Sequence, residues 1–341
     1  MSRRYAEAGV DLAGADEAKA RIAELVAGTR TAHSVGEIGA FGGMVRIPAG
    51  MRRPTLVLST DGVGTKVLVA LEAGRFDTVG EDLVNHGVND ILVHGAAPLA
   101  FMDYIAGAEL EVGQIAGLVE GIARGCRAHG MALAGGETAQ MPGLYRAGTY
   151  DLAGTIVGVV EEDSALHGHG IAPGDVLLGY ASTGLHTNGY TLARRIVFER
   201  MRLGLDDRLG ETGTTVAEAL LAVHRSYFRS VMPVISRVHG LAHITGGGIP
   251  GNLVRILPPD CEALVDPGSW EPPRLFATLQ QAGEVSTDEM RDVFNLGVGL
   301  IAVLPPDAVP AVRDAATADG VPTWTMGEIR RGDRAVRFGR R

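Results

Sequence analysis

Aromatic residues make up only 5% of the 341-residue chain, so its cores have to be built from Val, Leu, Ile and Ala. Cysteine is scarcer still. Cys126 and Cys261 stand far apart without CxxC spacing, which suits a reducing compartment with both thiols as small core residues. Positive charge is in deficit, with 31 Lys and Arg against 40 Asp and Glu and a net charge of −9. That balance argues against a nucleic-acid binder working by phosphate neutralisation. The local exception, Arg330, Arg331, Arg334, Arg337, Arg340 and Arg341, reads as a solvated end. No apolar run reaches the roughly 18–20 residues of a membrane span. Arg3 and Arg4 are followed by Tyr5-Ala-Glu7 and not by an apolar stretch, so no secretory leader is expected. The expectation is a cytoplasmic protein.

Glycine is abundant, at 48 residues, which points to tight turns and close backbone approaches. The length fits two domains. Residues 16–26 have helical spacing, and a glycine-rich stretch follows from Gly36 to Gly43. Thr55–Ser59 reads as a strand, Val79–Leu92 as a helix, Leu99–Met102 as a strand and Gln114–His129 as a long helix. Met131–Ala134 and Leu152–Val160 complete a first set of strands. The Gly/Pro-rich run Glu161–Gly174 is the best boundary, giving domains at residues 1–165 and 170–341. Beyond it, Asp175–Tyr180 reads as a strand and Tyr190–Met201 as a helix. A helical stretch follows from Asn252, then a strand at Val298–Leu304 and a helix through about Ala316. Strands and helices alternating in both halves give an α/β (or α+β) protein.

The polar groups follow the strand-like runs, where a loop can hold side chains at a pocket edge. Asp61 leads into Gly62, Gly64, Thr65 and Lys66; Asn89 and Asp90 close an apolar stretch; Asp103 and Glu137 follow two others. Each acid alone suits a cap or turn. As a set, flanked by Gly, Thr or Asn, they suit cations, and magnesium bridges a few carboxylates to phosphates. Backbone N–H groups in the glycine loops can approach an anion closely, but neither a P-loop nor a Rossmann fingerprint is present. In the second half, Ser182-Thr-Gly-Leu-His-Thr-Asn-Gly-Tyr190 fits an anion site at a helix N-terminus and an ordinary capped helix equally well. His243, beside the glycines at 246–248, is as readily structural as functional. His167 and His169 read as solvated loop histidines. Neither G-x-S-x-G nor H-E-x-x-H occurs, so a hydrolase has little support.

Asp61-Gly-Val-Gly-Thr-Lys66, Val88-Asn-Asp-Ile91, Gly95-Ala-Ala-Pro98, Gly135-Gly-Glu-Thr-Ala-Gln-Met-Pro-Gly143, Ser182–Tyr190, His243-Ile-Thr-Gly-Gly-Gly248 and Phe294-Asn-Leu-Gly-Val-Gly299 occur in a fixed order. In that order they resemble the phosphoribosylformylglycinamidine cyclo-ligase (aminoimidazole ribonucleotide synthetase) family. Asp103-Tyr104, Tyr150–Gly154 and the opening Tyr5–Asp11 fit as well. The resemblance spans nearly the whole chain. It implies a homodimer whose N-terminal domains share a β-barrel, and a C-terminal α/β layered domain that contributes substrate loops.

The resemblance also implies ATP-dependent closure of formylglycinamidine ribonucleotide to aminoimidazole ribonucleotide in purine biosynthesis, with Mg²⁺ held by Asp61, Asp90 and Glu137. Nucleotide contacts would come from Gly39, Phe41 and Gly42, from Asp61, Gly62, Gly64, Thr65 and Lys66, from Asn89 and Asp90, and from Gly135, Gly136, Glu137 and Thr138. Substrate contacts would come from Ser182, Thr183, Gly184, His186, Asn188 and Gly189, and from His243, Thr245, Gly246 and Gly247. Lys66, His186 and Asp103 are the expected catalytic residues.

Four departures stand out: Ala23 where lysines are usual, the segment Ala222–Phe228 in place of a Pro-Thr-Arg-Ile-Tyr-like stretch, Gln140 in place of a glutamate, and Leu296 in place of a cysteine. Selenophosphate synthetase, of similar architecture, would need a reactive Cys near the N-terminus. A catalytically silent nucleotide-binding paralogue is the rival from another class.

Overall fold

The computed structural model describes residues 21–36 and 41–340. Gly39, the segment Tyr5–Asp11 and the first part of the expected helix over 16–26 lie outside them. A helix over residues 21–27 precedes a short ladder of β1 (Ser34–Val35) and β2 (Met44–Val45). Then come β3 (Pro54–Gly62), α1 (Lys66–Ala73), α2 (Asp77–Leu92), β4 (Ala97–Gly107), α3 (Val112–Ala128), β5 (Ala132–Gln140) and β6 (Tyr150–Glu161). The sheet order is β3-β6-β4-β5, with β4 and β5 parallel and joined through α3.

Three of these strands are longer than their apolar runs predict. Asp61 lies inside β3, Asp103 in the middle of β4, and Gly135–Glu137 inside β5, where loops were expected. Polar residues are tolerated in β3 and β5 because both are edge strands, and at Asp103 in the central strand β4 the ladder still satisfies the backbone.

Period-two alternation gives this sheet two unlike faces. Phe101 and Ile105 point to the face carrying α2 and α3 and are buried, whereas Leu56, Leu58, Met102 and Tyr104 stay exposed on the other. The two helices cross closely because both are small at the contact. A Cβ on Gly80 would lie 2.2 Å from the Leu118 carbonyl oxygen, and one on Gly121 would lie 2.0 Å from that of Asp77. Arg124 ties the same crossing together through Glu81 (2.7 Å) and Asp77 (3.0 Å).

The chain divides into two units: residues up to Ile91 with Ala97–Glu161, and Leu92–Ala96 with Glu162–Arg341. The second unit holds β7 (Val176–Ala181), α4 (Tyr190–Arg194), β8 (Gly240–His243), α5 (Gly248–Leu253), β9 (Cys261–Val265), α6 (Arg274–Gly283), β10 (Val298–Leu304), α7 (Val309–Ala318), β11 (Thr323–Arg331) and β12 (Ala335–Phe338). Its six-stranded sheet has the order β12-β9-β11-β7-β10-β8. Every residue of β10 is buried. Ile301 and Val303 face one core with Leu253 and Met326, while Leu300, Ala302 and Leu304 face another with Tyr180 and Val312. A strand covered on both faces reads as a continuous apolar run, which is why its limits match the sequence expectation.

One expectation is refined here and one corrected. The helix expected over Tyr190–Met201 is α-helical to Arg194 and continues as a π-helix over Arg195–Arg200. The basic C-terminal run is not a free end: β12 pairs in parallel with β9, and Arg337 meets Glu262 at 2.9 Å.

Candidate active site

In the first unit the acids are organised by α2. Asp82, His86 and Asp90 recur every four residues, so they share one face of the helix. His86 Nε2 lies 3.0 Å from Asp61 and 3.6 Å from Asp90. The Ser59 hydroxyl donates to Asp90 Oδ2 at 2.8 Å, and the Gly62 N–H donates to Asp61 Oδ1 at 2.7 Å. Burial disfavours the charged imidazole of His86, but the hydrogen bond that it donates to Asp61 and the charges of Asp90, Asp61 and Asp82 outweigh it and raise its pKa. Burial likewise works against the Asp61 carboxylate, and its contacts with His86 and Gly62 bring the pKa below the ordinary value. Asp61 remains 53% exposed. Two converging carboxylates and a hydroxyl are hard oxygen donors, so this set fits Mg²⁺.

Lys66 is placed differently from the expectation. Its ammonium is 0% exposed and pairs with Asp82 at 2.7 Å, so it links the start of α1 to α2 and does not stand at an open pocket edge. Burial lowers its pKa, and Asp82 opposes that shift.

A second group of expected residues lines a cavity of about 1340 Å³ in the same unit: Phe41 and Gly42, Asp103, and Gly135, Gly136, Glu137 and Thr138. Asp61 and Asp103 occupy one row of the sheet, on either side of Gly154, and Gly136 pairs beyond Asp103. A Cβ on Gly154 would come within 2.3 Å of Phe101 and 2.9 Å of Leu83, so this row needs a glycine. Burial pushes the Asp103 carboxyl up to about 7, against a smaller opposing effect of its own backbone N–H. Glu137 pairs with Tyr104, one position along. Alternation therefore turns Glu137 toward the exposed face, away from Asp61 and Asp90. Within one chain, the three expected metal ligands resolve into a converging pair and a separate glutamate. Ala23 and Gln140, two of the departures, also line the cavity.

In the second unit the expected substrate residues form two loops at one end of the sheet. After β7, the Ser182 hydroxyl donates to the Gly184 carbonyl at 2.9 Å, and Asn295 Nδ2 donates to the same oxygen at 2.8 Å. Asn295 Oδ1 accepts from the Gly297 N–H at 2.9 Å. Gly184 has φ +146°, and His186 has φ +62°, a conformation that a non-glycine side chain adopts only under constraint. The Thr183 N–H donates to His186 Nε2 at 3.2 Å. After β8, Asn252 Nδ2 donates to the carbonyls of Gly246 (3.1 Å) and Gly248 (2.8 Å), and Oδ1 accepts from Thr245 at 3.2 Å. Gly189 and Gly247 take positive φ at the starts of α4 and α5. The glycine turns at the ends of these loops offer neutral backbone donors, a set suited to an anion, while His186 and His243 lie buried behind them.

Sequence reasoning missed His86, Asp82, Asn252, Asn295 and His224. The four-residue recurrence on α2 was a signal available for the first two. Asn252 braces the glycine turn four to seven residues before it, while Asn295 and His224 announce themselves through contacts remote in sequence.

The family model for the AIR synthase related protein N-terminal domain matches residues 40–160, and the model for its C-terminal domain matches residues 172–339. The chain belongs to the AIR synthase related family. One family relative, phosphoribosylformylglycinamidine cyclo-ligase of Sorangium cellulosum, is 47% identical over 333 residues, covering 96% of each chain. The fold is shared with thiamine-monophosphate kinase from Stenotrophomonas maltophilia, at TM-score 0.69 and 19% identity over 95% and 94% of the two chains. It is shared also with hydrogenase maturation protein HypE in complex with ATP, at TM-score 0.62 and 15% identity over 94% and 90%. The N-terminal family domain contains Asp61, Asp90 and Asp103, and the C-terminal one contains His186 and His243.

Proposed function

We infer that the chain is the ATP-dependent ligase that converts formylglycinamidine ribonucleotide to aminoimidazole ribonucleotide, releasing ADP and phosphate, in purine biosynthesis. The observation that carries this reading is the joint presence, in a chain 47% identical to a cyclo-ligase over 333 residues, of the Asp61–His86–Asp90 cluster and the imidazole- and glycine-rich loops. Use of ATP is supported further by the fold shared with a protein solved with ATP bound.

Amide oxygen is a poor leaving group. Transfer of the γ-phosphoryl group to the formyl oxygen gives an imidate-like phosphate. The amidine nitrogen then attacks the same carbon, the C–O bond breaks, and phosphate departs. Such a reaction depends on placement and charge neutralisation more than on a protein nucleophile. Bound at Asp61 and Asp90, Mg²⁺ would supply the charge neutralisation. His86 holds those two carboxylates in position. Asp103, with a pKa near 7, is suited to move a proton at neutral pH. The peptide N–H groups of the Phe41–Gly42 segment and of Gly135–Thr138 suit nucleotide phosphates. The loops at Ser182–Gly189 and His243–Gly247 take the ribonucleotide, with His186 as a proton carrier. Glu137, on the other sheet face, contributes toward the nucleotide in the cavity.

The protein works as a homodimer. The exposed face with Leu56, Leu58, Met102 and Tyr104 is larger than scattered surface apolar residues require, and pairing two such faces would close a barrel. Two free buried cysteines suit the cytoplasm.

The test is to supply purified protein with formylglycinamidine ribonucleotide, ATP and Mg²⁺, and to measure aminoimidazole ribonucleotide and ADP together. Equal amounts of both support the ligase. ADP formed only with another acceptor keeps the fold and removes the substrate. ATP binding without turnover leaves the silent paralogue.

A further inference from the structure

The chain has two tryptophans, and both stand at the end of the second sheet that carries the Ser182 loop. Strands β7 and β9 run toward that end, while β10 and β11 start from it. Trp270 follows β9 and Trp324 lies in β11; their rings stack at a centroid distance of 6.4 Å and an interplanar angle of 22°. Both are half-buried against the core that holds Ile301 and Met326. Trp324 covers Gly179 of β7, where a Cβ would lie 3.2 Å from its Nε1.

The two indole N–H groups differ. Trp270 Nε1 donates to the Leu296 carbonyl at 3.0 Å, whereas Trp324 Nε1 finds no partner among the described residues. Leu296, one of the departures from the family pattern, has φ +52°. A non-glycine residue keeps that left-handed conformation only where its surroundings over-determine it. Pro273, three residues beyond Trp270, closes the other side: a Cβ on Gly297 would lie 2.4 Å from its ring. The turn over 295–297 in turn holds the substrate loop. The Ser182 N–H donates to the Gly297 carbonyl at 2.8 Å. Asn295 Nδ2 donates to the Gly184 carbonyl at 2.8 Å, and the Ser182 hydroxyl reaches Asn295 Oδ1 at 3.3 Å.

We propose that Trp270 is a positioning residue for the ribonucleotide loop. Its indole N–H holds Leu296 in the left-handed conformation, and the 295–297 turn so fixed sets the backbone of Ser182–Gly184. The choice of ligand rests on the ligase reading; the brace itself does not. Without the indole donor, Leu296 gains by returning to negative φ, which swings its carbonyl and displaces both Asn295 and Gly297. Those two residues supply the contacts that order Ser182 and Gly184. A loop ordered before its ligand arrives binds more tightly than one ordered by it. The loss therefore falls on affinity for the ribonucleotide, and not on ATP, whose expected contacts lie in the first unit.

Trp270→Phe keeps an aromatic ring against Trp324 and removes the donor. In the full chain, with a native circular dichroism spectrum, hydrogen exchange should quicken in the segments 182–189 and 294–299. KM for the ribonucleotide should rise roughly 10-fold, equivalent to about 1.4 kcal/mol and within the range for one hydrogen bond. KM for ATP and kcat should change far less. Adding Leu296→Asn, which tolerates the left-handed region better, should recover most of the lost affinity. Trp324→Phe removes no donated hydrogen bond and should shift KM less than Trp270→Phe does. Loops that exchange as in the wild type, or an equal rise in KM for ATP and ribonucleotide, would overturn the assignment and leave Trp270 as core packing. Absence of turnover in the wild type would instead remove the ligase reading, and the exchange measurement would still decide the brace.

Discussion

The two units solve opposite charge problems. The first concentrates Asp61, Asp82 and Asp90 around Lys66 and His86. The loops of the second are held by amides, hydroxyls and imidazoles, with Asn252 and Asn295 as their braces. An acidic cluster that is partly open gains by admitting a cation, whereas neutral donors around glycine turns gain by admitting an anion. A magnesium nucleotide and a sugar phosphate need both kinds of surface. The contrast also separates roles: substitutions of the acids in the first unit should strike turnover, and those of the loop braces Asn252 and Asn295 in the second should strike affinity.

Breaking the acidic side should have the largest effect. Asp61→Asn or Asp90→Asn is expected to lower kcat by about 100- to 1000-fold, the scale for removing a group that stabilises transition-state charge. Circular dichroism should remain native. Lys66→Ala tests the buried pair. Asp82 would be left as an uncompensated buried charge, and denaturant unfolding should register a loss of about 3–5 kcal/mol. The doubly substituted Lys66→Met and Asp82→Leu chain should recover most of that loss.

Asp103→Asn sharpens the comparison through pH. An acid whose folded pKa is raised contributes stability below its unfolded pKa and loses it as pH rises through about 7. The variant should therefore melt above the wild type at pH 8, and the difference should vanish near pH 3. Its pH–rate profile should lose the inflection near 7. The smallest effect belongs to the second unit. Asn252→Ala removes the brace on the buried Gly248 carbonyl, at about 1–3 kcal/mol for a buried unsatisfied group. KM for the ribonucleotide should rise by roughly 10-fold, with kcat changed less.

The sequence carried much of this. Strand β10 was legible because it is buried on both faces, and the acids were legible because carboxylates at the ends of apolar runs demand an explanation. Gly135–Glu137 were misjudged because an edge strand relaxes the apolar pattern, and Asp103 because a single polar residue inside the central strand β4 looks like the end of its apolar run. Lys66 looked like a phosphate ligand because local sequence cannot report that α2 brings Asp82 over it. His86 was within reach, since Asp82, His86 and Asp90 share a helical face. His224 and Asn295 were not, because their partners lie far along the chain, whereas Asn252 braces the glycine turn just before it and was within reach.

The central claim is that ATP activates the formyl oxygen for displacement by the amidine nitrogen. It is tested most directly by following that oxygen. Formylglycinamidine ribonucleotide carrying a heavy-oxygen label in the formyl group is turned over with unlabelled ATP in unlabelled water, and the inorganic phosphate is examined by mass spectrometry. One labelled oxygen per phosphate, in step with aminoimidazole ribonucleotide formed, is the predicted result. Label recovered in water, with phosphate unlabelled, would contradict the account.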